Sequence, residues 1–250
     1  MRCMTKTNLQ KFIGKYSLKG TINSVKWVVT SAEKLMNVKA ITEDKTLLID
    51  LKWNNFTDIT TDAELGVYET DKLERMLKAL GENITVVVNE SNGKVTSLSF
   101  ADDNTDVQFM TAELSVIPPS SSLKKVPPYG VEIDLTKDFT AKFKSAKDAL
   151  PDEDKFTLLM GKKSKKLQMI IGYSAINSNR ITLDVPAKDG KNTVAKEISF
   201  NANYFKSILD SNSDCDNAVL RVSESGLASV EFVCGDFTVA YHMTKIQTAD

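Results

Sequence analysis

The chain has 250 residues, room for two ordinary domains with full hydrophobic cores, and its 32 Lys and Arg against 33 Asp and Glu leave a formal charge of −1. That balance excludes a uniformly basic nucleic-acid binder and makes the placement of charge the informative quantity. Cys3, Cys215 and Cys234 are odd in number and lack CxxC spacing, which excludes a disulfide framework and a structural zinc and favours a reducing compartment.

The first stretch, MRCMTKTN, lacks the apolar segment of a signal peptide, and no run approaches about eighteen apolar residues, so a soluble intracellular protein with no membrane partner is expected. From Thr7 to Tyr16, Leu9, Phe12, Ile13 and Tyr16 stand at i, i+3, i+4 and i+7, one stripe of a helix, with Lys11 and Lys15 opposite. After Gly20 the period changes to strands over Val25 to Ser31, Leu35 to Ile41 and Thr46 to Trp53. A second helix is predicted with Thr70 as its cap, Leu73, Met76, Leu77 and Leu80 as its stripe and Gly81 as its stop; Lys72, Arg75 and Lys78 face away. Ile84 to Val88 and Val95 to Phe100 flank an Asn92-Gly93 hairpin turn, and Asp106 to Leu114 reads as one more strand.

Val116 to Gly130, VIPPSSSLKKVPPYG, holds four prolines and three consecutive serines in fifteen residues, so it reads as an extended surface connector. Beyond it the pattern restarts. Leu135 to Leu150 carries a stripe of Phe139, Phe143, Ala146 and Leu150, with Lys137 and Lys144 opposite and Lys142 and Lys147 flanking. Strands follow, then a capped helix from Asn201 whose Phe205, Ile208 and Leu209 lie 132 residues beyond Leu73, Met76 and Leu77. A hairpin turning at Ser225-Gly226 and a closing strand from Asp236 to Met243 complete the second copy. The chain is thus a tandem duplication, each copy running helix, three strands, helix, three strands, with domains at 1–117 and 133–250 and a connector at 118–132.

The four predicted helices carry a net charge of +5, and the rest of the chain carries −6. Cations on the outward faces of helices whose other faces cover sheets suit a surface for a polyanion. For one helix alone a solvated polar face is the commoner explanation, and the fourth helix, with Lys206 against Asp210, adds almost nothing; recurrence in two repeats favours the polyanion. No catalytic site assembles. His242 is the only histidine and has no Ser or Cys partner at a catalytic spacing, and no phosphate-cradling or metal-binding motif occurs, so no enzyme activity, cofactor or metal is expected. The basic turn Lys162 to Lys166 reads either as a solubilising hairpin tip or as a further contact for the polyanion.

The layout, together with the closing run VEFVCGDFTVAYHMTKI, the helix start FNANYFKSIL and the connector LKKVPPYGVEIDL, resembles the DNA sliding clamps, both the proliferating cell nuclear antigen type and the T-even bacteriophage type. The closing stretch departs from the eukaryotic pattern in having Thr244 where that pattern has proline. The resemblance implies an α+β clamp fold and a homotrimeric ring around duplex DNA. It implies partners in a replicative DNA polymerase and a clamp-loader ATPase, and a place in the cytoplasm at the nucleoid of a bacterial or phage-infected cell. DNA phosphates would meet Lys11, Lys15, Lys72, Arg75, Lys78, Lys137, Lys144, Lys147 and Lys206. Subunits would pair edge to edge through Val107, Phe109 and Thr111 of one copy and Ile181 and Leu183 of the next. A partner peptide would dock against Leu47, Leu123, Val126, Tyr129, Leu227, Tyr241 and Met243. A scaffold that never meets DNA is the alternative from another class.

Overall fold

The computed structural model describes residues 4–119, 123, 125–161, 166–174, 178–192 (backbone alone over 187–192), 194–216 and 218–247. Cys3, the serines of the connector and Lys162, Lys163, Ser164 and Lys165 of the basic turn lie outside the described residues. In chain order the elements are β1 (Met4–Thr5), α1 (Lys6–Ser17), β2 (Ser24–Thr30), β3 (Leu35–Ile41), β4 (Leu47–Asn54), β5 (Ala63–Tyr68), α2 (Thr70–Leu77), β6 (Asn83–Ser91), β7 (Lys94–Ala101) and β8 (Asp106–Met110), then a 3-10 turn at Leu114–Val116. There follow β9 (Val131–Asp134), α3 (Lys137–Ala149), β10 (Lys155–Met160), β11 (Leu167–Ile171), β12 (Ile181–Asp184), β13 (Ala187–Asn192), β14 (Ile198–Asn201), α4 (Ala202–Ser211), β15 (Val219–Val222), β16 (Leu227–Cys234) and β17 (Phe237–Thr244). Two compact units result: Met1–Thr42 with Ile49–Ser122 and Cys234–Val239, and Glu43–Leu48 with Leu123–Val233 and Ala240–Asp250.

In the first unit, α1 begins where the Thr5 hydroxyl accepts the Asn8 N–H, and it ends at Leu18 in the left-handed region. Its predicted stripe is its buried face: Leu9, Phe12, Ile13 and Tyr16 are all fully buried. Phe12 sits at the centre of an aromatic cluster with Tyr16, Trp27, Trp53 and Phe237, ring centroids 5.5–6.4 Å from its own. Each such side chain taken out of water contributes about 1.5–3 kcal/mol before entropy is counted. Strands β2, β3 and β4 alternate buried with half-buried or exposed positions, as one covered sheet face demands. β5, glycine-broken and without alternation in the sequence, pairs antiparallel with β2 from Ser24↔Tyr68 to Val29↔Ala63. Gly66 allows that strand to meet Ala112, whose carbonyl oxygen lies 2.3 Å from where a Cβ would stand. A second sheet runs β1-β6-β7-β8, its central hairpin turning on Asn92 and Gly93, both at positive φ.

α2 departs from its predicted bounds at both ends. Thr70 is the first helical residue and is buried, its hydroxyl 3.5 Å from the Tyr16 hydroxyl. The cap comes instead from Asn23, whose side chain accepts the Asp71 N–H at 3.0 Å and whose carbonyl accepts that of Thr70. Past Leu77 the bonds tighten to i→i+3 through Leu80, so the last residue of the stripe lies in a 3-10 turn.

The second unit repeats the plan with α3 capped by Thr136 and α4 capped by Asn201. The 132-residue offset holds: β11 starts at Leu167 against Leu35 of β3, and α4 at Ala202 against Thr70 of α2. Phe143, Phe156, Phe200 and Phe205 form its aromatic core. Its sheets run β12-β11-β10-β14 and β13-β9-β15-β16-β17. Each repeat therefore holds more than the predicted six strands, because β1, β5, β9, β13 and β14 are short segments without a readable period.

Candidate nucleic-acid interface and partner groove

In the first unit α1 and α2 pack side by side. Lys11, Lys72, Arg75 and Lys78 are exposed, as the helical spacing requires. Two of them are engaged with carboxylates of their own helix turn: Arg75 with Asp71 at 2.7 Å and Lys72 with Glu69 at 3.3 Å. The Arg75 guanidinium holds the Asp71 carboxyl below the usual range. Burial pushes the neighbouring Glu74 carboxyl up, against the pull of Lys78. Lys15 is a correction. It is fully buried, with its ammonium 5.9 Å from the Phe237 ring centroid, because the helix turn that carries it is enclosed by the aromatic cluster.

In the second unit Lys137, 84% exposed, meets Asp216 at 2.8 Å. Two ion pairs tie α3 to α4: Lys144 to Asp210 at 3.3 Å, and Lys206 to Asp148 at 3.0 Å. Asp148 and the nearby Asp210 hold the Lys206 ammonium above its ordinary range. Lys147 is the second correction. It is 4% exposed and donates to the carbonyl oxygens of Pro151 at 2.8 Å and Leu150 at 3.4 Å. The last carbonyls of a helix lack intrahelical partners and carry the negative end of its dipole, which is what a lysine in the final turn satisfies. Both misplaced lysines belong to the last turn of the first helix of their repeat.

The expected subunit edges are the outermost strands of their sheets, β8 of β1-β6-β7-β8 and β12 of β12-β11-β10-β14. Val107 and Phe109 turn inward and are buried; Thr111 lies past the strand end and donates its hydroxyl to the Val95 carbonyl. Met110, 65% exposed, is the apolar side chain that faces out. Ile181 and Leu183 are half-buried opposite Ile171 and Met169.

The expected groove residues separate into two sets. Val126 is 50% exposed, and Leu123 and Tyr129 are half-buried. Leu47, Leu227, Tyr241 and Met243 are buried core, which corrects their place in a peptide pocket. β17 alternates, so Phe237, Val239, Tyr241 and Met243 all point inward, and the Tyr241 hydroxyl accepts a hydrogen bond from Asn212 at 2.8 Å. The opposite side of the strand carries His242, whose Nδ1 lies 2.8 Å from Ser229 Oγ; that oxygen in turn accepts from the Tyr129 hydroxyl at 2.8 Å. Sequence reasoning names neither Ser229 nor His242 beside Tyr129, although period-two alternation outward from Tyr241 marks His242.

No protein-family model and no curated protein matches the sequence. Solved structures do. Proliferating cell nuclear antigen (PCNA) from Entamoeba histolytica matches with a TM-score of 0.73 and 14% identity over 98% of this chain and 97% of its own. The A. fulgidus PCNA, solved with the C-terminal region of FEN-1 bound, matches with a TM-score of 0.73 and 12% identity over 99% of this chain and 98% of its own. No helix among the described residues is long and apolar enough to cross a membrane. The likeness spans both units, and the fold of this chain is the α+β fold of the DNA sliding clamps.

Proposed function

We propose that the protein is a DNA polymerase sliding clamp, a processivity factor that closes as a homotrimer around duplex DNA and tethers a replicative polymerase. The observation that carries this reading is the full-length match of the fold to PCNA at both ends of both chains. The exposed cations Lys11, Lys72, Arg75, Lys78 and Lys137 would meet phosphates without reading bases, and Lys144 and Lys206 would do so on release from their carboxylates. β8 of one copy would pair with β12 of the next, a head-to-tail contact that closes when the rotation fits. A clamp loader would use ATP to open the ring, and the partner polymerase would dock a short segment at the connector; that a clamp-fold protein can take such a segment is supported by the A. fulgidus PCNA, solved with the C-terminal region of FEN-1 bound. Work of this kind places the protein with the DNA, at the nucleoid of a bacterial or phage-infected cell.

The reading is tested by topology. Protein loaded by its cognate loader onto nicked circular DNA should stay bound through gel filtration and be lost when the circle is cut, and the double variant Arg75→Glu, Lys137→Glu should load several-fold less. Equal retention on linear and circular DNA, or a monomer at every concentration, would leave the scaffold alternative in its place.

A further inference from the structure

The connector ends on two prolines, Pro127 and Pro128, which have no N–H to tie it down. Tyr129 follows, and the Gly130 N–H donates to the Val222 carbonyl at 3.0 Å just before β9 begins. Between the prolines and that strand, the Tyr129 hydroxyl donates to Ser229 Oγ on β16 at 2.8 Å. Ser229 is buried, and its Oγ lies 2.8 Å from Nδ1 of His242 on β17.

A serine hydroxyl has one hydrogen to give and two lone pairs to receive with. With Tyr129 donating into Ser229, that single hydrogen is free to go to Nδ1, which accepts it in the neutral imidazole that carries its own hydrogen on Nε2. The three groups then form one directed chain from the connector through β16 to β17. Orientation passes along such a chain: the imidazole fixes the rotor of the serine, and the serine presents a lone pair to the tyrosine.

We propose that His242 is a positioning residue for the connector, acting through Ser229 to hold Tyr129 and so fixing the wall of the partner groove. The consequence for partner binding rests on the groove reading under Proposed function; the positioning itself does not.

Amide hydrogen exchange on the intact protein, without partner, tests it. In connector peptides containing Val126 and Tyr129, Tyr129→Phe, Ser229→Ala and His242→Phe should each speed exchange about fivefold, the weight of one net hydrogen bond. His242→Asn, which sets an amide oxygen near the place of Nδ1, should return exchange to within about twofold of the unaltered protein. The double variant Tyr129→Phe, His242→Phe should exchange no faster than either single one, because the two side chains share one chain of bonds. Unaltered connector exchange in His242→Phe, or additive effects in the double variant, would overturn the proposal. Faster exchange in β16 and β17 without rescue by His242→Asn would overturn it too, by assigning His242 to sheet packing. Since no partner is present, failure here leaves the groove reading standing. A polymerase C-terminal peptide that binds away from Val126 while the relay holds would sink the groove reading alone.

Discussion

The ammonium of Lys15 lies 5.9 Å from the centroid of the Phe237 ring, inside the first unit and out of reach of solvent. A lysine so placed supports packing with its stem and cannot reach phosphate. Lys15→Ala is therefore expected to lower stability by about 2 kcal/mol or more through lost packing, with DNA retention changed only in proportion to the unfolded fraction. Denaturant midpoints beside retention on circular DNA check this, and a stable variant with weakened retention would contradict it. Lys147→Ala should behave alike, since it frees the carbonyls of Leu150 and Pro151.

Carboxylates stand against the cations of the outward helix faces, and their removal should be felt by DNA. Exposed ion pairs such as Arg75–Asp71 and Lys137–Asp216 are screened by water and contribute little to stability, so a phosphate can take the carboxylate's place. In Asp71→Asn, Asp216→Asn two cations lose their internal partners. The salt dependence of DNA affinity should steepen, with the logarithmic slope growing by up to about 2, and affinity at low salt should rise. An unchanged slope would show that neither cation meets the duplex.

The outermost strands β8 and β12 make the assembly testable without disturbing either core. Phe109 is buried, so a proline there would confound edge pairing with core damage. Met110→Lys on β8 and Thr182→Pro on β12 alter outward positions. Each should give monomers in sedimentation while keeping the thermal transition within a few degrees of the parent. A trimer persisting in both variants would place the subunit contact elsewhere.

How far the sequence reveals this protein depends on period. The stripes Leu9-Phe12-Ile13-Tyr16 and Phe205-Ile208-Leu209 are buried as read, because amphipathic spacing states directly which face a helix covers. The 132-residue echo survives as the shared starts of β3 with β11 and of α2 with α4. β5 buries Leu65, Gly66 and Val67 in succession and so shows no alternation, and β14 has too few residues for alternation to register. Lys15, read as opposite its stripe, and Lys147, read as flanking its own, are both buried, since what encloses them is tertiary: the Phe237 ring for one, the turn at Leu150 and Pro151 for the other. For the groove, alternation along β17 already separates Tyr241 and Met243 from His242, but the partner Ser229 is visible only once β16 is laid beside it.

Asp102 offers a pH test. Its carboxylate receives the N–H groups of Gly81, Asn104 and Thr105, which hold it below the usual carboxylate range, the Gly81 bond first. A depressed acid is deprotonated in the fold, so its contribution is present above the ordinary carboxylate range and is lost as pH falls through the lowered value. Asp102→Asn should thus be less stable than the parent at neutral pH, with the two melting curves converging as pH falls below the ordinary carboxylate range. A gap that stays constant with pH would mean the Asp102 charge contributes nothing to stability.

The groove prediction turns on the two faces of β17. Tyr241 is fully buried and accepts from Asn212, so Tyr241→Ala opens a core cavity and removes one partner of the buried Asn212 amide, at a cost of about 3–5 kcal/mol. Any loss of partner binding in that variant would be a loss of fold. Val126 and Leu123 lie on the connector with apolar surface exposed or half-exposed, and their truncation removes contact area without touching either core. Binding energy at such sites concentrates in a few anchors, so Leu123→Ala, Val126→Ala should weaken a polymerase C-terminal peptide about tenfold or more in calorimetry. The melting temperature should stay within a few degrees of the parent. Equal affinity for the peptide in parent and double variant would remove the connector from the docking surface, whatever the effect of Tyr241→Ala.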